Sequence, residues 1–161
     1  MSRMKPPGKR DVGQASVEFM FTVVLLMIFI FGLLELLMFG YTVNVLGDAA
    51  KEGVRTAIVH GADNSASTDG PSVGATGSCP NATSSTAPDV YTAVQNTAKA
   101  SFHDVSGLTV NVCYPDKTNA VPSRVQVQVS YPYKPLIAQL PWSASWRTVT
   151  LSTTAYGRIA Y

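Results

Sequence analysis

Between Phe19 and Tyr41 runs an apolar stretch of 23 positions, interrupted by one charge, Glu35. About 20 helical residues cross a bilayer core, so this stretch is long enough to span one. It is too long for the apolar region of a cleavable secretory signal, which holds roughly 7–15 residues. Arg3, Lys5, Lys9 and Arg10 precede it, against the single acid Asp11. By the positive-inside rule the N-terminus stays cytoplasmic and everything after Tyr41 is exported. In a chain of 161 residues, one such span and one small domain exhaust the length.

The net charge of +2 arises in the leader. Past the span, Lys and Arg nearly balance Asp and Glu, and no basic stripe suited to nucleic acid appears. That partner class is excluded. Cys79 and Cys113 are the only cysteines, both in the exported part. An oxidising compartment favours one intramolecular disulfide between them over two free thiols. With two distant histidines they lack the tight spacing of a metal site, and no metal or cofactor is expected.

The first element reads as one long helix from about Ala15 to about His60. Its second half is amphipathic: Val43, Leu46, Ala50, Val54 and Ala57 recur at helical steps. Asp48, Lys51, Glu52 and Arg55 form the opposing charged stripe, and His60-Gly61 ends the helix. Some 46 residues at helical rise give about 70 Å, more than twice the hydrocarbon thickness, so a stalk is expected beyond the membrane. Residues 61–88, poor in large apolar side chains and rich in Gly, Ser, Thr and Ala, read as a long surface loop pinned by Cys79. Asn81-Ala82-Thr83 matches the N-glycosylation triplet, a pattern common by chance in such sequence.

Pro88-Asp89 opens a second helix, to about His103, with Val90, Val94, Ala98 and Phe102 on one face. The period then changes to two. Leu108, Val110, Val112 and Tyr114 alternate with polar residues, as do Val125, Val127, Val129 and Tyr131; the turn-rich 115–123 joins them. Trp146 to Ile159 is a third strand candidate. The expected fold is α+β: a leader at 1–13, a long helix at 14–60 spanning the membrane at about 19–41, the loop at 61–88, and an exported domain at 89–161. There a three-stranded antiparallel sheet is laid on the helices.

Catalytic chemistry is not indicated. His60 and His103 lie at helix ends, with no strained nucleophile turn, glycine-rich phosphate loop or paired carboxylates beside them. Surface histidines that cap or hydrogen-bond are the plainer reading. Two carboxylates at the span are harder to dismiss. Glu18 precedes Phe19 at the membrane border, where a snorkelling role is cheap. Glu35 lies 17 residues further on, about 25 Å along the helix. It is flanked by leucines, so it either packs against a partner helix or reaches the outer headgroup layer. Gly32, nearly on the same face, would let a partner helix approach closely.

Three pieces of sequence carry a resemblance: Gly13-Gln14-Ala15-Ser16-Val17-Glu18-Phe19, then Leu34-Glu35 with Gly40-Tyr41, and Ala49-Ala50-Lys51-Glu52-Gly53-Val54-Arg55. They resemble the TadE-like family, minor pseudopilins of tight-adherence (Flp) pilus systems. The resemblance covers about Val12 to Gly61, and the Val-x-Val-x-Tyr-Pro of 127–132 fits the family's looser C-terminal half. It implies cleavage between Gly13 and Gln14 by a prepilin peptidase, and partnership with other pilins through the N-terminal helix. Glu18, fifth in the mature chain, would then guide assembly, its carboxylate pairing with the new Gln14 amine of its own or a neighbouring chain. The implied protein is a structural component of pilus assembly, not an enzyme, single-pass in the cytoplasmic membrane and then, after assembly, in a pilus. Two other readings stand beside it: an uncleaved, signal-anchored periplasmic binding or adaptor module, and a small anchored hydrolase. Trp142, Trp146 and the tyrosines either make partner contacts or cover the sheet.

Overall fold

The computed structural model describes residues 9–65, 69–71, 78–135 and 148–160. In chain order these form α1 (Lys9–Val59), α2 (Pro88–Ser101), β1 (Thr109–Cys113), β2 (Arg124–Tyr133) and β3 (Val149–Arg158). The architecture is the expected α+β. The chain divides into two compact units, Met1–Met38 and Phe39–Tyr161. The first contains the apolar part of α1. The second contains the rest of α1, α2 and the sheet.

The sheet is antiparallel with strand order β1-β2-β3. Val110 pairs with Val129 and Val112 with Val127, while Val127 pairs with Ala155 and Tyr131 with Leu151. This register places the inward residues of all three strands on one face, where Val112, Val125, Val127 and Val129 are almost completely buried. Alternation alone sets that outcome, because a slip of one residue would turn every valine to solvent. α2 buries Val90, Val94 and Ala98, the face expected from their spacing. It stops at Ser101, two residues short of the expected end, because Phe102 turns extended and its N–H closes back on the Ala98 carbonyl at 2.8 Å.

The contribution of α1 to this core differs from the expected stripe. Val43 is exposed, and the buried positions are Thr42, Val45, Leu46, Ala49, Ala50, Val54 and Ala57. The seam is built from small residues, which let the helix axis come close to its neighbours. An added Cβ at Gly53 would lie 2.5 Å from Val94 Cγ2 and 3.1 Å from Val127 Cγ1. Only glycine lets α1 approach α2 and β2 together there.

The segment expected to be a surface loop is, in its described parts, half interior. Asp69 is fully buried, and its Oδ2 accepts the Val90 N–H at 2.8 Å. It therefore caps α2 from 21 residues upstream, where the local N-cap, Ala87, has no side chain able to do so. Asn119 donates from Nδ2 to the Asp69 carbonyl at 2.9 Å, and its own carbonyl accepts from Ala62 at 3.0 Å. Gly70, at φ +99°, lies against the ring of the buried Tyr114, where any side chain would collide. Burial raises the Asp69 carboxyl above its ordinary value, with Asp89 adding to the effect. Burial, and then the Asp69 charge, likewise push the Tyr114 phenol up.

Residues 78–87 seal the outer edge of β1. Ala82 bridges Val112, and the Asn81 side chain pairs with Tyr114 like a strand residue, accepting its N–H and donating to its carbonyl, both at 2.8 Å. The asparagine of the glycosylation triplet is therefore committed to a structural role. Cys79 and Cys113 sit with Cα atoms 5.2 Å apart, the separation a disulfide requires. Trp142 and Trp146 lie outside the described residues, and the third strand begins at Val149, after both.

Candidate functional site: the N-terminal helix

Within the first unit, α1 presents side chains with almost nothing packed on them. Phe19, Phe21, Leu25 and Ile28 are each about 70% exposed. The stretch is long and apolar enough to cross a membrane, and none of its most apolar window is buried. An apolar surface this extensive demands lipid or protein cover. The helical ladder already satisfies the backbone, as a hydrocarbon environment requires. Such a helix can therefore be covered entirely through side-chain packing.

The residues singled out from the sequence fall on this helix in a definite order. Gly13 and Gln14 are exposed and helical; α1 begins at Lys9, so the Gly13–Gln14 bond lies inside the helix and not before it. A Cβ built on Gly13 or on Gly32 would meet nothing within 4 Å. Both glycines leave open grooves at the helix surface. Glu18 is exposed, one helical turn beyond Gln14, and its carbonyl accepts a 2.9 Å bond from the Thr22 hydroxyl. Glu35 is half-buried, unlike its leucine neighbours Leu36 and Leu37, which are about two-thirds exposed.

The Ala49–Arg55 segment divides cleanly between two jobs. Ala49, Ala50 and Val54 are buried, and Gly53 makes the close approach to Val94 and Val127. Lys51 and Arg55 point to solvent and pair with Asp48 at 3.3 Å and Glu52 at 3.4 Å. Exposed pairs of this kind add little stability, about 0.3–0.5 kcal/mol each. The small residues carry the structural weight. Sequence periodicity missed Gly53 as a contact residue, because a glycine contributes nothing to an apolar stripe; its signal was the run of small residues at three- and four-residue steps.

His60 occupies the plain role expected of it, and His103 is exposed just past the end of α2. His60 Nδ1 lies 2.8 Å from the Thr56 carbonyl at the end of α1, and Nε2 is 3.9 Å from Asp89 in the first turn of α2. Aromatic residues of the second unit cover the sheet: Phe102, just past α2, stacks on Tyr131 with centroids 5.0 Å apart, and Phe39 meets Tyr133 edge-on at 5.9 Å. Among the described residues no group of His, Cys, Asp and Glu could hold a metal ion.

Fold and helix together define a class, an α+β domain carried on an apolar N-terminal helix of membrane-spanning length. Residues 13–55 match the family model described as TadE-like protein, in agreement with the resemblance read from the three sequence segments. The match opens at Gly13 and closes at Arg55, so it takes in both the exposed apolar helix and the small-residue seam. No curated protein and no solved structure matches the chain.

Proposed function

We propose that the protein is a minor pilin or pseudopilin, a structural component in the assembly of a tight-adherence (Flp-type) pilus. A prepilin peptidase would release it from its basic leader. The observation that carries this reading is where the match begins: the TadE-like segment starts at Gly13, directly after the basic residues, and runs on through the exposed apolar helix. Before assembly the helix anchors the protein in the bilayer with its C-terminal domain exported. Afterwards the same side chains pack against helices of other pilins, exchanging lipid for protein cover.

A peptidase needs an extended peptide, and Gly13 lies within a helix. Glycine weakens a helix interior by about 1 kcal/mol relative to alanine, which lowers the cost of local opening at this bond. Cleavage creates a charged amine on Gln14 at the new helix N-terminus. Glu18 then has a positive partner available, in its own chain or a neighbour's, and in low dielectric each charge neutralises the other.

The test is intact-mass and N-terminal analysis of membrane-extracted protein from a host carrying the peptidase. Residues 1–13 should be lost, and Gly13→Leu should retain them. A wild-type protein that keeps Met1 through Gly13 when assembled overturns the reading in favour of an uncleaved anchored module.

A further inference from the structure

Arg124 and Arg158 are register partners on β2 and β3, directly opposite each other. Like charges placed this way repel. Asp116, whose field reaches both, hydrogen-bonds only Arg124. It accepts from Arg124 Nε at 3.2 Å, from Nη2 at 2.7 Å and from the Arg124 backbone N–H at 2.8 Å. Those bonds, reinforced by the charges of Arg124 and Arg158, hold the Asp116 carboxyl down at about 2. Its one negative charge is therefore committed to Arg124. The exposed Arg158 guanidinium makes no hydrogen bond among the described residues and is left as an excess positive charge.

That charge lines a groove of about 430 Å³ together with Arg124, Gln126 and Tyr156. Tyr156, the cross-strand partner of Gln126, is 73% exposed, the highest exposure of any large apolar or aromatic residue in the described structure. Beyond the groove, the same outer face of the sheet continues as two neutral polar rows across the strands, Asn111-Gln128-Thr154 and Thr109-Ser130-Ser152. None of these six side chains is hydrogen-bonded among the described residues. The face thus offers one guanidinium without a hydrogen bond among the described residues, one flat aromatic ring, and amides and hydroxyls in register beside the Arg124–Asp116 pair.

We propose that this face binds an anionic polysaccharide, with a uronate-type carboxylate held by Arg158 and the adjoining sugar ring laid on Tyr156. A guanidinium receives a carboxylate through two parallel N–H donors, a geometry that an ammonium does not offer. The C–H face of a sugar ring covers an aromatic ring and removes apolar surface from water. Amide and hydroxyl side chains donate and accept alike, as a polyhydroxyl ligand requires. An apolar protein partner would leave these rows unsatisfied. A nucleic acid would require several phosphate contacts, and the groove, among the described residues, holds a single guanidinium outside the Arg124–Asp116 pair. The inference goes beyond the assembly reading and does not depend on it, since binding here involves no residue of the N-terminal helix.

The test titrates full-length protein in detergent with polygalacturonate oligosaccharides. Maltohexaose serves as the neutral glycan, dextran sulfate as a sulfated one, and poly-glutamate as an acidic peptide. Polygalacturonate should bind and maltohexaose should not. Arg158→Gln and Tyr156→Ala should each weaken binding by about tenfold or more, as expected for loss of a charged hydrogen-bonding pair or a stacking platform. Both residues are exposed, so the variants should keep the wild-type circular dichroism. Failure of polygalacturonate to bind the wild-type protein overturns the proposal. So does binding of poly-glutamate with equal strength and indifference to Tyr156→Ala, which would assign the groove to an acidic protein. Preference for dextran sulfate, unaffected by Tyr156→Ala, would reduce it to a charge effect and overturn it equally. Leader retention in the cleavage assay would leave this result untouched, so the two readings fail separately.

Discussion

Replacing Gly53 by alanine isolates the close approach on which the exported domain is built. Alanine favours a helix interior over glycine by about 1 kcal/mol, so propensity alone predicts a more stable protein. Against that, the new methyl would stand 2.5 Å from Val94 Cγ2 and 3.1 Å from Val127 Cγ1. Carbon atoms prefer about 3.5–4.0 Å. Both valines are fully buried, so neither can swing into solvent to make room. Overpacking of this kind costs about 1–3 kcal/mol, and a clash on two sides belongs near the upper end. The net expectation is a loss of about 2 kcal/mol. Gly47 supplies the control: its added methyl would meet only Thr153 Cγ2, at an ordinary 3.7 Å. Gly47→Ala should therefore stabilise by about 0.5–1 kcal/mol. Near-ultraviolet circular dichroism of the full chain in detergent follows the domain without interference from the apolar helix, which stays helical there. At roughly 4 °C per kcal/mol, Gly53→Ala should melt about 8 °C lower than wild type and Gly47→Ala a few degrees higher. A Gly53→Ala protein as stable as the Gly47→Ala protein would refute the close-packed seam.

Three further outcomes can be checked. Asp69→Asn should be more stable than wild type at neutral pH and converge with it in acid. Burial raises the Asp69 carboxyl above 3.8, so its protonated form is the one the fold prefers, and stability is lost as pH rises through the raised value; a difference between the two proteins that stays constant across urea melts from pH 3 to pH 7 would disprove it. Cys79 and Cys113 should be recovered as one linked peptide pair by non-reducing mass spectrometry, and two alkylatable thiols in native exported protein would exclude the bond; closing a loop of this length contributes about 3–4 kcal/mol. Glu18→Ala should leave processing and the melting of the exported domain unchanged yet reduce co-purification with partner pilins and surface piliation, since stranding one charge of a buried pair costs about 3–5 kcal/mol. Normal piliation by that variant would make Glu18 a bystander.

The elements most legible in the sequence are those whose hydrophobic period is unambiguous. Strands β1 and β2 follow from the alternating valines, and α2 follows from Val90, Val94 and Ala98 with proline and aspartate at its start. The face of α1 was harder. Val43 and Val45 are equally apolar, and only the positions of Ala49 and Gly53 decide that Val45 turns inward and Val43 outward. The interior role of 69–71 left no periodic trace at all. Asp69 caps a helix 21 residues away, and Asn119 reaches back across 50, so these bonds exist only once the fold has brought them together. Of the candidate site, the positions of Gly13, Glu18 and Glu35 along the helix were evident from spacing. The Arg124–Arg158 opposition was not, because strand register lies between two segments and belongs to neither.

The Ala82 bridge and the Asn81 amide have a further consequence, for aggregation. β1 is the short strand of the sheet, and its outward backbone groups at Val112 and Tyr114 are already taken by its own chain. Open strand edges are templates on which neighbouring molecules polymerise. Proteins crowded in the plane of a membrane meet one another far more often than in dilute solution. At these positions such encounters find the donors and acceptors already taken. On the apolar part of α1 the backbone is likewise closed, but the side chains are open. Any contact made there would rest on side-chain packing alone, which is reversible where sheet extension would lock in errors.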